Sequence, residues 1–539
     1  MIKDENSRFE KFEEDIFDKF MKRNPIWATH LGIHEYDHLL PDISREKHLK
    51  DIEMMEDWKN RLREFEIDEL SDENRMARKL GLHLFDLMLF QMKELRRWEK
   101  NPSAPSAIGG GIFPLIKRDF APIEKRLESI HERIKKIPIL LEQEKTKLEE
   151  PVKLWIDMAI ESAEQLPMLM KLVIMIARQE DIDKERLEEL NRSIDEADSA
   201  LEKYIEWLEE KKNESVEDFA IGSEKFRELI EKRELGHTPD EILEIGEDLL
   251  EESKEDMKEY AEQIDDRAEV EEVVEEIMTQ TPASFEEALD WYREGLEDAK
   301  NFVIEQELAT IPDDEEIEVT ETPEYLRPLI PYAAYMPPAK FDKVMKGIYI
   351  VTPPQNEEDL TNYSYWDVRN TTVHEGYPGH HLQNAAARTH DDIFHLFSRA
   401  IETIEGWAHY CEEMMKDHGF DDTPEARLIQ TKDIVWRAAR IVVDVKLSKG
   451  EMDFDEAVDF LVDNAGLKEK DALAEVKRYT QNPAYQLSYL LGKEMLKDLK
   501  EEVKSKMGDD YTEKFFHDTI LYSGSVPMIY LREIFENKI

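Results

Sequence analysis

Apolar residues recur three and four positions apart over the first 307 residues of the chain. Leu80, Leu84, Leu87 and Met88 show this spacing, which places their side chains on one face of an α-helix. Charged runs such as EDLLEESKEDMKEYAEQ are typical of the solvent-facing sides of helices. The first part of the chain is therefore predicted to be almost entirely helical.

The pattern changes between residues 308 and 354, where proline, tyrosine and β-branched residues accumulate. Ile317–Thr320 and Gly347–Thr352 are predicted to form short strands separated by proline-bounded turns. After Pro354 the helical spacing resumes and continues to the end of the sequence. The sequence thus predicts a mainly α protein with a small β-sheet directly before a histidine-rich motif.

No internal repeat and no flexible linker divides the chain visibly. We therefore predict one interlocked unit, whose two parts differ in function and not in a visible structural boundary. Residues 1–307 are predicted to form a helical wall of a substrate cleft, and residues 308–539 are predicted to carry the small sheet and the histidine motif.

Acidic residues outnumber basic ones by 125 to 72, which gives a formal net charge of −53. This charge repels nucleic acids and anionic membrane surfaces, so neither is expected as a partner. The sequence contains no apolar run long enough for a membrane helix and no signal-peptide pattern, and we predict a cytoplasmic protein. The single cysteine, Cys411, leaves His, Asp and Glu as the predicted metal ligands.

A literal HExxH motif occurs near the start of the chain, from His34 to His38. Such a motif binds zinc when both histidines lie on one face of a helix. Gly32 and Pro41 bound this segment and leave it barely two turns. We therefore predict a structural segment or a substrate-pocket loop here.

The run VHEGYPGHHLQ is a stretched form of the same motif, with His374 and Glu375 followed late by His380. On a regular helix His380 would lie about 9 Å along the axis from His374, too far for one zinc ion. Gly376, Pro378 and Gly379 permit a bulge or break that would bring the two histidines together. The motif therefore predicts a Zn²⁺ site on an interrupted helix.

Two adjacent histidines, His380 and His381, compete for the second ligand position. His380 is favoured because a glycine precedes it, as in zinc-peptidase helices with an HExGH motif, and His381 is the alternative. The third ligand is expected from a following helix, where Glu405 lies in the apolar frame of FSRAIETIEGWAHYCEEMM. Glu402 and Glu412 share nearly the same helix face, so either can orient a ligand histidine.

Several motifs together resemble the family called domain of unknown function 885, within the gluzincin-type zinc metallopeptidases. They are HEGYPGHHLQ, EGWAHYCEE, RYTQNPAYQLSYLLGKEML, NPIWATHLGIHEYD, YLRPLIPYAAYMPP and GIYIVTPP, spread over nearly the full length. The resemblance implies a large helical metallopeptidase-like fold, similar to the thimet-type oligopeptidases. Alignment of the Gly-His pairs with those enzymes places their ligand glutamate at Glu405.

The resemblance also implies roles for residues near the C-terminus. By analogy with tyrosines of the helical oligopeptidases, Tyr485 or Tyr489 is expected to donate a hydrogen bond to the oxyanion. Arg478, just before that helix, is a candidate to recognise a substrate carboxylate. Glu375 is expected to be the general base of peptide hydrolysis.

The predicted function is that of a zinc-dependent peptidase acting on short peptides, as an oligopeptidase or carboxypeptidase, with an aminopeptidase not excluded. Two alternatives stay open at this point. One is a non-catalytic peptide-binding protein that retains the fold, and the other is a metallohydrolase of a nonpeptide amide or ester. The sequence does not define the oligomeric state.

Overall fold

The computed structural model describes residues 4–180, 182–313, 315–322, 327, 333–342, 346–354, 360–361, 363–390 and 392–539. Most of the first half of the YLRPLIPYAAYMPP motif, which begins at residue 325, lies outside these ranges. The chain divides into two compact units, Met1–Phe219 with Ala339–Lys343, and Ala220–Pro338 with Val344–Ile539. The predicted functional boundary at residues 307/308 and the predicted cleft wall stay predictions.

The first unit consists of helices joined by short connections, as the spacing of apolar residues predicted. The apolar faces of these helices form its interior. Trp58, Phe85 and Trp155 are examples of the buried side chains, each only 1% exposed. The helices are α1 (Glu5–Arg23), α2 (Pro25–Leu31), α3 (Arg45–Arg63), α4 (Asp72–Phe90), α5 (Ala104–Lys117), α6 (Ile123–Ile134), α7 (Ile137–Lys145), α8 (Lys153–Gln179) and α9 (Lys184–Lys211).

The second unit contains further helices and the small sheet, and it carries the histidine motif. Its elements before the motif are α10 (Ser223–Lys232), α11 (Pro239–Ile264), α12 (Val270–Met278), α13 (Phe285–Glu305), β1 (Glu316–Glu321), β2 (Ala333–Met336) and β3 (Lys346–Val351). The motif and the chain beyond it form α14 (Tyr365–Glu375), α15 (His380–Ala387), α16 (Ile393–Phe397), α17 (Ile401–Asp417), α18 (Pro424–Lys449), α19 (Phe454–Ala465), α20 (Glu469–Gln481), α21 (Ser488–Met507), α22 (Glu513–Leu521) and α23 (Met528–Lys538).

The sheet is three-stranded and mixed, with the order β1-β3-β2. β3 pairs with β1 in parallel and with β2 in antiparallel orientation. The two predicted strands, Ile317–Thr320 and Gly347–Thr352, are confirmed as β1 and β3, and each end differs by one residue. The prediction missed β2, because two of its four residues, Ala333 and Ala334, have little intrinsic preference for strands.

Long helices form the frame in which the histidine motif lies. α14 packs against α13, α17 and α18, and α17 packs along α21. Gly406 of α17 and Gly492 of α21 allow a close approach of these two helices, because a Cβ added at Gly492 would lie 2.1 Å from the carbonyl oxygen of Glu402. This close packing brings the helix that carries Glu405 next to the start of α21.

Within the described part of the chain, no helix combines the length and the hydrophobicity that a membrane crossing requires.

Candidate metal centre

The helix of the HEGYPGHH motif is interrupted, as its glycines and proline predicted. α14 ends at Glu375 and α15 begins at His380, and four residues lie between them. A hydrogen bond from the N–H of Gly379 to the carbonyl of Val373, 3.1 Å long, closes the interruption. The helix before the break begins at Tyr365, directly after Ser364.

The interruption brings together three side chains that were predicted as metal ligands. One donor atom from each of His374, His380 and Glu405 lies within 4.8 Å of the others. The imidazole rings of His374 and His380 are 4.9 Å apart and nearly perpendicular. Among the described residues, this is the one group of at least three His, Cys, Asp or Glu side chains with such a geometry.

The spacing of the three side chains fits a tetrahedral ion. His380 Nε2 and Glu405 Oε2 are 3.3 Å apart. Two ligand atoms that each lie about 2.0–2.1 Å from a tetrahedral zinc ion are about 3.3 Å apart. The side chains of His374, His380 and Glu405 are 12%, 13% and 13% exposed, so water can reach the group. The residues therefore fit a metal with an open coordination position.

Glu412 orients His374, as one of the two glutamates was predicted to do. His374 Nδ1 lies 2.6 Å from Glu412 Oε1. An ionised carboxylate only accepts hydrogen bonds, so Nδ1 carries the proton and Nε2 keeps the lone pair that a metal needs. Asn370 donates to the other oxygen of Glu412 at 2.9 Å, and Lys416 donates to Asn370 at 2.9 Å.

Electrostatics keep this orienting carboxylate ionised. Burial raises the pKa of Glu412, but the neighbouring His409 and Arg437 and the hydrogen bond from His374 outweigh burial and hold the pKa well below its usual range. Burial alone lowers the pKa of His380, yet the hydrogen bond with Glu405 and the charge of Glu375 raise the pKa overall. The carboxylates of Glu405, Glu375 and Glu412 therefore stabilise a positive charge placed next to them.

Replacing Glu412 by glutamine is expected to weaken metal binding, measured with zinc as the probe, by about 10- to 100-fold, because the outer partner that fixes His374 loses its charge. Competition with a chromophoric chelator measures this affinity. Glu413→Gln is the matched control on the same helix, because its carboxylate pairs with Lys493 and Lys497. Equal zinc affinities of the two variants would contradict the orienting role of Glu412.

The two predicted tyrosines flank Glu405. The Tyr485 hydroxyl donates to Glu405 Oε1 at 3.4 Å, and the ring of Tyr489 lies 6.1 Å from that of Tyr485. Asp444 anchors this segment by accepting from the N–H groups of Ala484 and Leu487 at 2.9 and 3.1 Å. These two hydrogen bonds fix the backbone around Tyr485 and therefore the orientation of its side chain.

Both tyrosines keep their protons near neutral pH. Burial raises the pKa of Tyr485 and of Tyr489, and the negative charge of Glu405 raises both further. A protonated phenol donates a hydrogen bond, so either hydroxyl has the chemistry of an oxyanion donor.

Three other predicted site residues lie elsewhere. His381 is fully buried, and its ring nitrogens contact Glu315 and Tyr335, so it is not part of the ligand group. Glu402 does not orient a ligand histidine and instead accepts from Arg233 at 2.6 Å. Arg478 forms an ion pair of 2.6 Å with Glu475 and is 46% exposed, and its substrate role stays a proposal.

The structure also shows residues near the site that sequence reasoning missed. Arg437 of α18 is one of them, and its Nη2 lies 3.8 Å from Glu412 Oε1. The sequence pattern that could have indicated Arg437 is a charged residue among the apolar residues of the run IVWRAARIVV, at a spacing typical of a buried helix face. Asn370 and Glu315 had no comparable signal, because Asn370 contacts Glu412 at a separation of 42 residues and Glu315 contacts His381 at a separation of 66 residues.

The literal HExxH segment does not form a two-histidine helix. His34–Tyr36 is a single 3₁₀ turn in the first unit. His34 Nδ1 contacts Asp37 at 2.8 Å and His34 Nε2 contacts Asp342 at 3.0 Å, so both ring nitrogens are already bonded. The ring of Phe120 also stacks on the His34 ring at 3.6 Å. These contacts agree with the prediction of a structural segment.

Fold and site define a mainly α protein with a small mixed sheet and a His-His-Glu group that can hold a metal. A family model described as "Bacterial protein of unknown function (DUF885)" matches residues 25–534, and the chain belongs to this family. No curated protein sequence matches the chain.

Two solved structures are similar over nearly the whole chain. One is described as "a putative lipoprotein of unknown function from Shewanella oneidensis", with a TM-score of 0.81, 21% identity, and coverage of 98% of this chain and 99% of that chain. The other is described as "the putative lipoprotein from Colwellia psychrerythraea", with a TM-score of 0.83, 19% identity and coverage of 98% of both chains. At these identities the similarity shows the shared fold.

Proposed function

We propose that the protein is a zinc-dependent peptidase that hydrolyses short peptides. The observation that carries the proposal is the convergence of His374, His380 and Glu405 to within 4.8 Å, directly beside Glu375. Two histidines and a glutamate are the ligand set of a common class of catalytic zinc sites, with the fourth position left for water or substrate. The resemblance of the sequence motifs to gluzincin-type metallopeptidases agrees with this ligand set.

Each part of the chemistry has a residue in place. A bound zinc ion would supply a Lewis acid that polarises a substrate carbonyl and acidifies water. Glu375 follows His374 directly, and its charge acts on His380, so its carboxylate lies near the ligand group. It is the candidate to accept a proton from water and to return it to the leaving amine. The protonated Tyr485 is the candidate donor to the oxyanion.

The acidic surface limits the substrates that the site attracts. A chain with a net charge of −53 attracts basic or neutral peptides more readily than acidic ones. Arg437 is a second candidate, beside Arg478, to bind a substrate carboxylate, because it lies 3.8 Å from Glu412 and its charge helps to lower the pKa of the ligand candidate Glu405. Peptide length, the choice of peptide end and the predicted cytoplasmic location stay predictions.

Digestion of a peptide library, with zinc content measured on the same sample, tests the proposal. We expect about one zinc ion per chain, cleavage that a chelator abolishes, and recovery of cleavage when zinc is restored. Tight zinc binding without cleavage of any peptide would favour a non-catalytic peptide-binding protein. Turnover of only nonpeptide amides or esters would favour the other class of metallohydrolase.

A further inference from the structure

A second buried carboxylate, besides Glu412, receives hydrogen bonds from residues of the interrupted helix. Glu315 lies directly before β1, and its side chain is 1% exposed. His381 Nε2 lies 2.5 Å from Glu315 Oε2, and the Tyr377 hydroxyl donates to the same oxygen at 2.5 Å. Lys300 of α13 donates to Oε1 at 2.5 Å.

These donors hold both ends of the interruption in the helix. Tyr377 lies within the turn that follows α14, and His381 lies in the first turn of α15. The ligand His380 lies between them in the sequence, so its position depends on how the two neighbours are fixed. Trp407 of α17 supports the same turn from another helix by donating to the carbonyl of Pro378 at 2.9 Å.

The surroundings leave His381 little freedom. Its Nδ1 lies 2.9 Å from the hydroxyl of Tyr335 on β2. A Cβ added at Gly347 of β3 would lie 2.7 Å from the same nitrogen, so only glycine allows the sheet to approach this closely. Because the carboxylate accepts from Nε2–H, Nδ1 is left to accept the Tyr335 hydroxyl proton. Each ring nitrogen of His381 therefore has its own hydrogen-bond partner, with Nε2 as the donor and Nδ1 as the acceptor.

We propose that Glu315 is a positioning residue of the metal centre, which holds His380 in the ligand group through His381 and Tyr377. The proposal rests on the proposed zinc site. It also gives the small sheet a role, which is to support His381. Glu315, directly before β1, accepts from Tyr377 and from Nε2 of His381, while Tyr335 of β2 and Gly347 of β3 lie against Nδ1 of His381. A metal-binding helix that is interrupted benefits from such an external support, because fewer backbone hydrogen bonds join its two halves than in a continuous helix.

Glu315→Gln is expected to weaken zinc binding by about 10- to 100-fold, the usual effect of losing an outer partner. The amide would place a donor against the donors of His381, Tyr377 and Lys300. Tyr377→Phe removes one hydrogen bond and leaves the carboxylate, so we expect a smaller loss of about 2- to 10-fold. Chelator competition measures both affinities at a temperature where each variant is folded.

Glu144→Gln is the matched control. Glu144 is also fully buried, lies in the first unit and accepts from Ala104, Tyr204 and Lys147. Its loss is expected to lower thermal stability and leave zinc affinity unchanged. A merely structural Glu315 would behave in the same way as this control.

The outcomes separate the two proposals. If the wild-type chain binds zinc and both Glu315→Gln and Tyr377→Phe bind it equally well, the positioning role is wrong and the zinc site stands. Absence of zinc binding by the wild-type chain would overturn the zinc site, and the positioning role with it. A loss of affinity in Glu315→Gln, with a smaller loss in Tyr377→Phe and none in Glu144→Gln, supports the role.

Discussion

Replacing Glu375 by glutamine is expected to lower the kcat of peptide hydrolysis by about 10²- to 10⁴-fold, the usual contribution of a general base. Glutamine has nearly the shape of glutamate but does not accept a proton from water at neutral pH. Because the residue is expected to contact water and not the metal, the variant should bind zinc as tightly as the wild-type chain. Steady-state hydrolysis of one peptide from the library, with zinc affinity measured in parallel, checks both parts.

Glu501→Gln is a suitable control for the loss of one negative charge, because this glutamate is 73% exposed on α21. Its activity is expected to equal that of the wild-type chain. Wild-type activity in Glu375→Gln would show that another group accepts the proton. A combined loss of zinc and activity would instead place Glu375 among the residues that hold the metal.

Gly379→Ala is expected to destroy the metal centre, with zinc affinity lowered by more than about 100-fold, beyond the effect of an outer partner. A Cβ at this position would lie 1.9 Å from the carbonyl oxygen of His374 and 2.4 Å from that of Val373. Both atoms belong to the backbone of α14, so they have no flexible end that can move aside. The turn must therefore open, and His380 moves away from His374.

The same substitution should lower the free energy of unfolding by about 3 kcal/mol, at the upper end of the usual effect of overpacking. Urea denaturation measures the stability, and chelator competition measures the affinity. Gly110→Ala is the control, because a Cβ there has no atom within 4 Å and alanine favours helix α5. A Gly379→Ala variant with wild-type zinc affinity would contradict the arrangement of the turn.

Local sequence rules predicted the break in the histidine helix and the residues that meet across it. Gly376, Pro378 and Gly379 are poor helix residues, and their order in HEGYPGHH left only a break as a means to bring His380 towards His374. Helical periodicity placed Glu405 and Glu412 on nearly one face of the next helix. These features depend on residues close together in the chain, so patterns within a short window contain them.

The partners that complete the site come from distant parts of the chain, so the sequence named Glu412 only as one of two candidates and did not reveal Glu315. Glu315 and His381 are separated by 66 residues, and Glu412 and His374 by 38 residues. The periodicity of one helix does not show which of its carboxylates meets a histidine of another helix. For the same reason Glu402, with burial similar to that of Glu412, has Arg233 as its partner, at a separation of 169 residues.

Anomalous scattering from crystals of the zinc-loaded protein, measured on both sides of the zinc absorption edge, tests the proposed metal centre directly. We expect one strong peak, about 2.0–2.2 Å from a nitrogen of His374, a nitrogen of His380 and a carboxylate oxygen of Glu405. A peak at His34 or at His381, or no peak among these three ligands, would contradict the metal centre and the peptidase function that depends on it.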